Sequence, residues 1–167
     1  ETASQAILVS NEIVSAFSCR RDGAFELSGF KGWGGEIGEY IFGQEPEPGN
    51  ALLLSFKRQL PVNVNISLLV NLMQKKDVRV VRNPGKPEFP LAMLRWEYWD
   101  GCDWHPVSML EDQTDCFIND GYVSFSIESP MEAALQPCQT DNKPLYWLRC
   151  VLMESNYIVA PAVERIS

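Results

Sequence analysis

The feature that most constrains the fold of this chain is a two-residue alternation of side chains between turn residues. The clearest run alternates Leu94, Trp96 and Tyr98 with Arg95, Glu97 and Trp99. Side chains two positions apart lie on one face of a β-strand, so this pattern is typical of a strand with one buried face. The run meets Asp100-Gly101 and resumes at residues 104–109, which predicts a β-hairpin with a short Asp-Gly loop.

Similar short apolar runs recur along the chain between clusters of Pro, Gly and Asn. They predict further strands at residues 25–27, 51–57, 62–73, 122–127, 145–153 and 157–163. Helix is predicted only at Ser129-Pro130-Met131-Glu132, where a Ser cap, an N-terminal Pro and a following Glu form a capping box. Many short strands with almost no helix between them imply antiparallel pairing. The expected fold is all-β: an antiparallel β-sandwich, jelly-roll-like, with one short helix.

Size and charge set further limits. With 167 residues, 46% of them hydrophobic, the chain fits one β-sandwich domain spanning residues 1–167. A net charge of -8 argues against nucleic acid or an anionic membrane as partner, because both attract basic surfaces. The chain begins with Glu1 and shows no signal-peptide pattern, so we expect a domain excised from a larger protein.

The sequence offers little for catalysis or tight metal binding. Cys102 and His105 have a Cys-x-x-His spacing and Cys116 follows, but no second close pair completes a zinc quartet. His105 is the only histidine, and no nucleophile elbow accompanies it. Glu97 and Asp112 could be paired as glycosidase carboxylates, but sequence sets no separation for them. The glycines of residues 29–38 lack a phosphate-binding fingerprint. We therefore expect no enzymatic activity and no catalytic, cofactor-binding or metal residue.

The cysteines bear on the redox state of the chain, and the acidic residues of the turns bear on whether it binds calcium. Five widely spaced cysteines, an odd number, suit reduced thiols and synthesis in the cytoplasm. Acidic residues collect in predicted turns, where they cap backbone amides or, alternatively, supply oxygen ligands to calcium. They are Asp100, Asp103, Glu111, Asp112, Asp115 and Asp120.

The aromatic residues are the candidates for binding. Alternation places Trp96 in the core and Trp99 on the opposite face, so Trp99 is either exposed or covered by a partner. We take Trp99, Trp104 and Tyr122 as candidate interaction residues, for docking within an assembly or for stacking on a sugar. The basic stretch is interpreted as a solvated edge strand or a docking surface for an acidic neighbour. It comprises Lys75, Lys76, Arg79, Arg82 and Lys86.

Several of these strands share a pattern with a known family. The segment Leu94-Arg95-Trp96-Glu97-Tyr98-Trp99-Asp100-Gly101, closed by Trp104, resembles a recurrent pattern in baseplate assembly proteins of contractile phage tails and related injection machines. Residues 107–115 with 121–127 resemble the family's acidic turn and Gly-x-Val-x-Phe strand, residues 146–150 its Tyr-Trp-Leu-Arg strand, and residues 157–166 its closing strand. The resemblance covers residues 94–166. Cys150 and Cys102 depart from the pattern.

The resemblance implies a structural domain of a large baseplate protein, not an enzyme, and carries over no catalytic residues. It implies neighbouring domains or subunits as partners, no cofactor, and incorporation into a virion or a phage-tail-like particle after cytoplasmic synthesis. The alternative is a carbohydrate-binding β-sandwich, assisted by calcium if the acidic turns bind it. Fold alone does not separate the two functions.

Overall fold

The computed structural model describes residues 13–27, 39–73, 92–157 and 160–167. Within these ranges the chain forms eleven β-strands and no helix. The strands are β1 (Ile13–Arg20), β2 (Gly23–Glu26), β3 (Glu39–Tyr40), β4 (Ala51–Phe56), β5 (Ile66–Leu72), β6 (Ala92–Trp99), β7 (Trp104–Pro106), β8 (Ser108–Asp112), β9 (Gly121–Ser126), β10 (Tyr146–Ser155) and β11 (Ala162–Ile166).

The strands form two antiparallel sheets. One has six strands in the order β2-β1-β4-β10-β6-β7, and the other has five in the order β3-β11-β5-β9-β8. The pairs β3/β11, β4/β10, β5/β9 and β6/β7 are nested along the chain and alternate between the sheets. This nesting is that of a jelly roll, in which one long hairpin is rolled into two sheets. The predicted antiparallel sandwich of jelly-roll type is confirmed.

The main core lies between the two sheets and is built from the inward-facing side chains of alternating strands. Leu148, Cys150 and Leu152 of β10 all point inward and are fully buried. Trp96 of β6 is buried with them and stacks on Phe125 of β9, with 6.4 Å between ring centroids and 13° between ring planes. Trp96 therefore joins the two sheets at the centre of the core, as the alternation predicts.

The outer face of the six-stranded sheet carries a second buried cluster, around Phe17 of β1 and Trp147 of β10. Residues 133–145, here called the strap, cover it. Ala134 and Leu145 of the strap pack on the cluster and pair with each other in a β-bridge. The indole Nε1 of Trp147 donates a hydrogen bond to the carbonyl of Ala134 at 2.9 Å. Because both faces of β4 are covered, all of its residues are buried.

The short helix predicted at residues 129–132 is wrong. The amide of Ser129 donates to the phenolic oxygen of Tyr98 at 3.1 Å, which ties the start of the segment to β6. Met131 is buried in the main core, and Ala134 is paired in the strap. These anchors keep the segment extended along the sheet, whereas an α-helix would shorten it to 1.5 Å per residue.

The strand predicted at residues 104–109 is two strands in different sheets. Trp99 pairs with Trp104 across the predicted turn, but β7 ends at Pro106, which has no amide hydrogen to donate. Val107 then donates its amide to the carbonyl of Trp96 at 3.0 Å, and the chain enters the five-stranded sheet as β8. The strands predicted at 51–57, 122–127 and 145–153 are observed as β4, β9 and β10. Those predicted at 62–73 and 157–163 begin later than expected, with β5 and β11.

The turn between β8 and β9 is left-handed over three successive non-glycine residues. Asp115, Cys116 and Phe117 have φ angles of 49°, 59° and 63°. Such angles are unfavourable for L-residues, so other contacts must stabilise the turn. The carboxylate of Asp112 accepts the amides of Thr114 and Cys116 at 2.9 and 3.1 Å, and the Phe117 ring is buried in the core.

We expect Gly101→Ala to lower the free energy of unfolding by about 1–3 kcal/mol. Gly101 has a φ of +106°, and a Cβ at this position would collide with the carboxylate of Glu132. Gly49→Ala is the matched control, because Gly49 has a φ of +97° and open space around its Cβ position. Urea denaturation measures both variants. If both variants lose the same free energy of unfolding, the loss in Gly101→Ala comes from the positive φ alone and not from the contact with Glu132.

Candidate interaction surface

Trp99 and Trp104 lie together on the outer face of the six-stranded sheet. They are paired residues of β6 and β7, and their rings meet edge to face with centroids 5.3 Å apart. Both rings are partly buried against the second cluster. The guanidinium carbon of Arg149 lies 4.3 Å from the centroid of the Trp104 ring, a cation–π contact that fixes the orientation of that ring.

Arg149 is itself held by a buried carboxylate. Its Nε and Nη2 atoms contact the same oxygen of Glu97, Oε1, at 2.9 and 2.8 Å. The other oxygen of Glu97 contacts Nε of Arg95 at 3.3 Å. The Glu97 side chain is only 6% exposed, whereas that of Arg95 is 51% exposed. Glu97 therefore fixes one arginine beside the tryptophans and leaves the other available to a partner.

Two methionines extend this surface toward the opposite end of β6. Alternation places Met93 on the same face as Arg95, and Met93 is 50% exposed. Met153 is 44% exposed and lies at the irregularity where β10 shifts its pairing with β6, just before Glu154, the exposed residue that pairs with Met93. We call the combined area the outer-face patch. It consists of Met93, Arg95, Trp99, Trp104, Arg149 and Met153.

Tyr122 belongs to a different surface. It lies on β9, opposite Leu69 of β5, on the outer face of the five-stranded sheet. Its side chain is exposed, and the neighbouring Ser67 and Ser124 share a hydrogen bond of 2.9 Å. The structure therefore brings Trp99 and Trp104 together and places Tyr122 on the opposite side of the sandwich.

Three of the six acidic turn residues, Asp100, Asp112 and Asp120, accept hydrogen bonds from backbone amides. Asp100 accepts the amides of Cys102 and Asp103 at 2.8 and 2.7 Å, and its other oxygen contacts Nε2 of His105 at 2.6 Å. The hydrogen bonds from Asp103 and Cys102, more than His105, hold the pKa of Asp100 below its usual value. Asp120 accepts the amide of Leu72 at 2.7 Å. These contacts match the turn-capping interpretation.

The residues weighed for zinc and for paired carboxylates lie apart. Cys116 donates to the carbonyl of Ala92 at the start of β6, whereas Cys102 and His105 lie beyond its other end. Burial, with the charges of Asp112 and Asp115, raises the pKa of Cys116 to about 11, which disfavours the thiolate that a metal needs. Across the described ranges no three His, Cys, Asp or Glu side chains are grouped to hold a metal ion.

Glu97 and Asp112 belong to different sheets and different networks. Glu97 pairs with arginines on the six-stranded sheet, and Asp112 caps the left-handed turn at the edge of the five-stranded sheet. Two further predictions, the glycine loop of residues 29–38 and the basic stretch of residues 75–86, lie outside the described residues.

A shallow cleft of about 470 Å³ lies at the end of β1. Its walls include Arg20, Arg21, Glu45 and Glu47. Arg20 already stacks on the Phe25 ring at 4.3 Å and donates to Oγ of Ser18 at 3.2 Å. Charges of both signs line the cleft, so it does not select an anion or a cation.

Sequence reasoning missed the two arginines and the two methionines of the outer-face patch. The alternation predicts that Arg95 and Glu97 face solvent on β6, and Arg149 belongs only to the motif of residues 146–150. A usable signal was present: a glutamate and two arginines occupy outward positions of strands rich in tryptophan. Which strands are neighbours, however, is set by the jelly-roll order.

No family model matches the chain, and no curated protein matches it. The described residues define a jelly-roll β-sandwich with a surface of Trp, Arg and Met side chains on one sheet. Within the described part of the chain there is no helix of the length and apolarity needed to cross a membrane.

Proposed function

We propose that this chain is a non-catalytic structural domain of a phage-tail or phage-tail-like baseplate protein, and that it mediates assembly through the outer-face patch. The observation that carries the proposal is the composition of this patch. Trp, Arg and Met are enriched at the centres of protein interfaces, and here all three types lie side by side on a sheet face.

The patch is partly organised before any partner arrives. Glu97 and Trp104 hold Arg149 from two sides, so little side-chain entropy remains to be lost when this part of the surface docks. Met93 and Met153 are flexible and exposed, which lets them adapt to the shape of an opposing surface. A fixed centre with an adaptable margin suits docking onto another folded subunit.

Charge indicates the kind of partner surface. The chain as a whole carries a net charge of -8, but the tryptophan end of the patch carries two arginines and only the buried Glu97 as an acid, while the exposed Glu154 lies opposite Met93 at the other end. The exposed guanidinium of Arg95 suits a carboxylate on the partner, because guanidinium and carboxylate form geometrically matched hydrogen bonds. We infer a neighbouring baseplate domain or subunit with an apolar centre and acidic residues at its margin.

The sequence resemblance supplies the class of assembly. The two motifs most like those of baseplate assembly proteins, at residues 94–101 and 146–150, fall on β6 and β10. These are the strands that carry most of the patch. The proposal includes cytoplasmic synthesis followed by incorporation into a virion or a phage-tail-like particle.

We expect Trp104→Ala to weaken binding of the domain to its baseplate neighbour by about 30-fold, the effect of losing an interface hot spot. Dissociated baseplate subunits of the parent particle are immobilised, and the affinity is measured by biolayer interferometry. Arg95→Ala should weaken binding less, because its side chain lies at the margin. Circular dichroism and a melting curve establish that each variant is folded.

Tyr122→Ala is the control, since Tyr122 is exposed on the opposite sheet. It should leave baseplate binding unchanged. The proposal is wrong if no baseplate subunit binds the wild-type domain, or if Trp104→Ala binds as tightly as wild type.

One observation favours the carbohydrate-binding alternative. Tyr122 presents an exposed ring beside the hydroxyl groups of Ser67 and Ser124, a combination suited to stacking on and hydrogen bonding to a sugar. A glycan array with and without calcium tests it. If this alternative holds, Tyr122→Ala abolishes glycan binding and Trp104→Ala does not, the reverse of the result expected for baseplate docking.

A further inference from the structure

Two cysteines from distant parts of the chain meet at the outer face of the six-stranded sheet. Cys19 is near the end of β1, two residues after Phe17 and on the same face. Cys138 belongs to the strap. Both side chains pack on the second cluster, and their thiols share a hydrogen bond. All five cysteines of the chain are free thiols in the structure.

Each of the two thiols has a fixed backbone. Cys19 is paired on both sides, with Ala51 of β4 and Ala24 of β2. Cys138 follows Pro137 in a tight turn that is closed by a hydrogen bond from the amide of Gln139 to the carbonyl of Gln136 at 3.0 Å. Proline at the second position of such a turn is favourable, because its fixed φ matches the turn.

Gln139 also stabilises the rest of the strap. Its side-chain oxygen accepts the amide of Gln136 at 2.7 Å, and its side-chain nitrogen donates to the carbonyl of Lys143 at 2.9 Å. The turn that carries Cys138 is thus held from inside the strap as well as by its contact with the sheet.

We propose that Cys19 and Cys138 form a redox latch, which closes as a disulfide and ties the strap covalently to β1. The oxidant is a low-molecular-weight disulfide such as glutathione disulfide. This proposal does not rest on the proposed function, because it concerns only contacts within the chain.

The two thiols have different roles in closing the latch. The hydrogen bond from Cys138 lowers the pKa of Cys19, against the opposing effect of burial, so Cys19 supplies the attacking thiolate. That thiolate attacks one sulfur of glutathione disulfide, forms a mixed disulfide and expels one glutathione. The same hydrogen bond, with burial, raises the pKa of Cys138.

The second step forms the internal bond. Once Cys19 is in the mixed disulfide, its thiolate no longer holds the proton of Cys138. The Cys138 thiol loses that proton to water and attacks the Cys19 sulfur, which expels the second glutathione. In total two protein thiols are oxidised to one disulfide, and one glutathione disulfide is reduced to two molecules of glutathione.

The test exposes the full chain to glutathione disulfide and maps its disulfides by mass spectrometry without reduction. We expect the wild-type chain to lose two hydrogen atoms and to yield a cross-linked peptide pair containing Cys19 and Cys138. The oxidised protein should melt about 5 °C or more above the reduced protein, because a cross-link over most of the chain restricts the unfolded state.

Two variants separate the steps. Cys138→Ser should accumulate the mixed disulfide of glutathione at Cys19, since the second thiol is missing. Cys102→Ser is the matched control and should close as fast as wild type, because Cys102 is exposed at the β6–β7 turn and takes no part. The proposal is overturned if the wild-type chain stops at the mixed disulfide or if Cys19 cross-links to another cysteine. The wild-type map decides this even if Cys138→Ser does not fold.

Discussion

Trp96→Ala is expected to lower the free energy of unfolding by about 3–5 kcal/mol. Trp96 is 4% exposed, and its ring lies against both Phe125 and Phe117 in the main core. Its removal leaves a cavity at the point where the two sheets meet, and the strands on both sides are too well paired to collapse into it. Urea denaturation followed by circular dichroism measures the loss.

Trp99→Ala provides the comparison, because Trp99 is three residues away on the opposite face of the same strand. It is partly exposed and packs on Trp104, so we expect a loss of about 1–2 kcal/mol. A larger loss for Trp99→Ala than for Trp96→Ala would contradict the assignment of faces on β6, and with it the position of the outer-face patch.

Trp147→Ala is also expected to lower the free energy of unfolding by about 3–5 kcal/mol, although Trp147 lies outside the main core. Its side chain is completely buried between the six-stranded sheet and the strap. Limited proteolysis should then cut the strap in the variant under conditions that leave the wild-type strap intact, because the strap loses its main apolar contact.

Trp147→Phe separates packing from hydrogen bonding. Phenylalanine retains much of the apolar contact but cannot donate to the carbonyl of Ala134, so we expect a loss of about 1–2 kcal/mol. The urea midpoint of unfolding should therefore fall in Trp147→Ala. If that midpoint equals the wild-type value, or if the strap stays as resistant to protease as in wild type, the strap does not depend on this residue.

Strands that border solvent on one side could be predicted from sequence. On β9, Val123 and Phe125 point into the core while Tyr122 and Ser124 point outward, and the alternation is visible in the sequence. The two-residue period also assigned Trp96 and Trp99 to the correct faces. On β9 one side is apolar and the other is polar, which is the condition under which alternation carries most information.

Alternation gives no signal where both faces of a strand are covered, and such a strand is predicted only if, like β4, it is one continuous apolar run. In β1, Ala16, Phe17 and Ser18 are buried in succession, because the main core lies on one side and the second cluster on the other. No alternation survives there, and β1 was missed. The segment before the strap misled the prediction for a related reason. The capping-box pattern of residues 129–132 is local, whereas the contacts of Tyr98 and Trp147 that hold the chain extended come from elsewhere in the sequence.

Two of the six residues of the outer-face patch could be predicted from the sequence. Trp99 and Trp104 were found because a hairpin brings them together over a short stretch of chain. Arg149 reaches them only because β10 lies beside β6, and Cys138 reaches Cys19 only because the strap crosses the sheet. Contacts of this kind depend on the order of the strands in the sheet, and that order cannot be read from local patterns in a single sequence.

That strand order also determines when the domain can be completed during synthesis. β10 lies between β4 and β6, and β11 lies between β3 and β5. Until these two strands leave the ribosome, each sheet exists only as separate parts with unpaired edges. Unpaired strand edges recruit other chains, so the nascent domain is most exposed to aggregation after β9 has emerged and before β10 and β11 have joined the parts. The period in which a chaperone would matter most is therefore set by the position of these two strands in the chain.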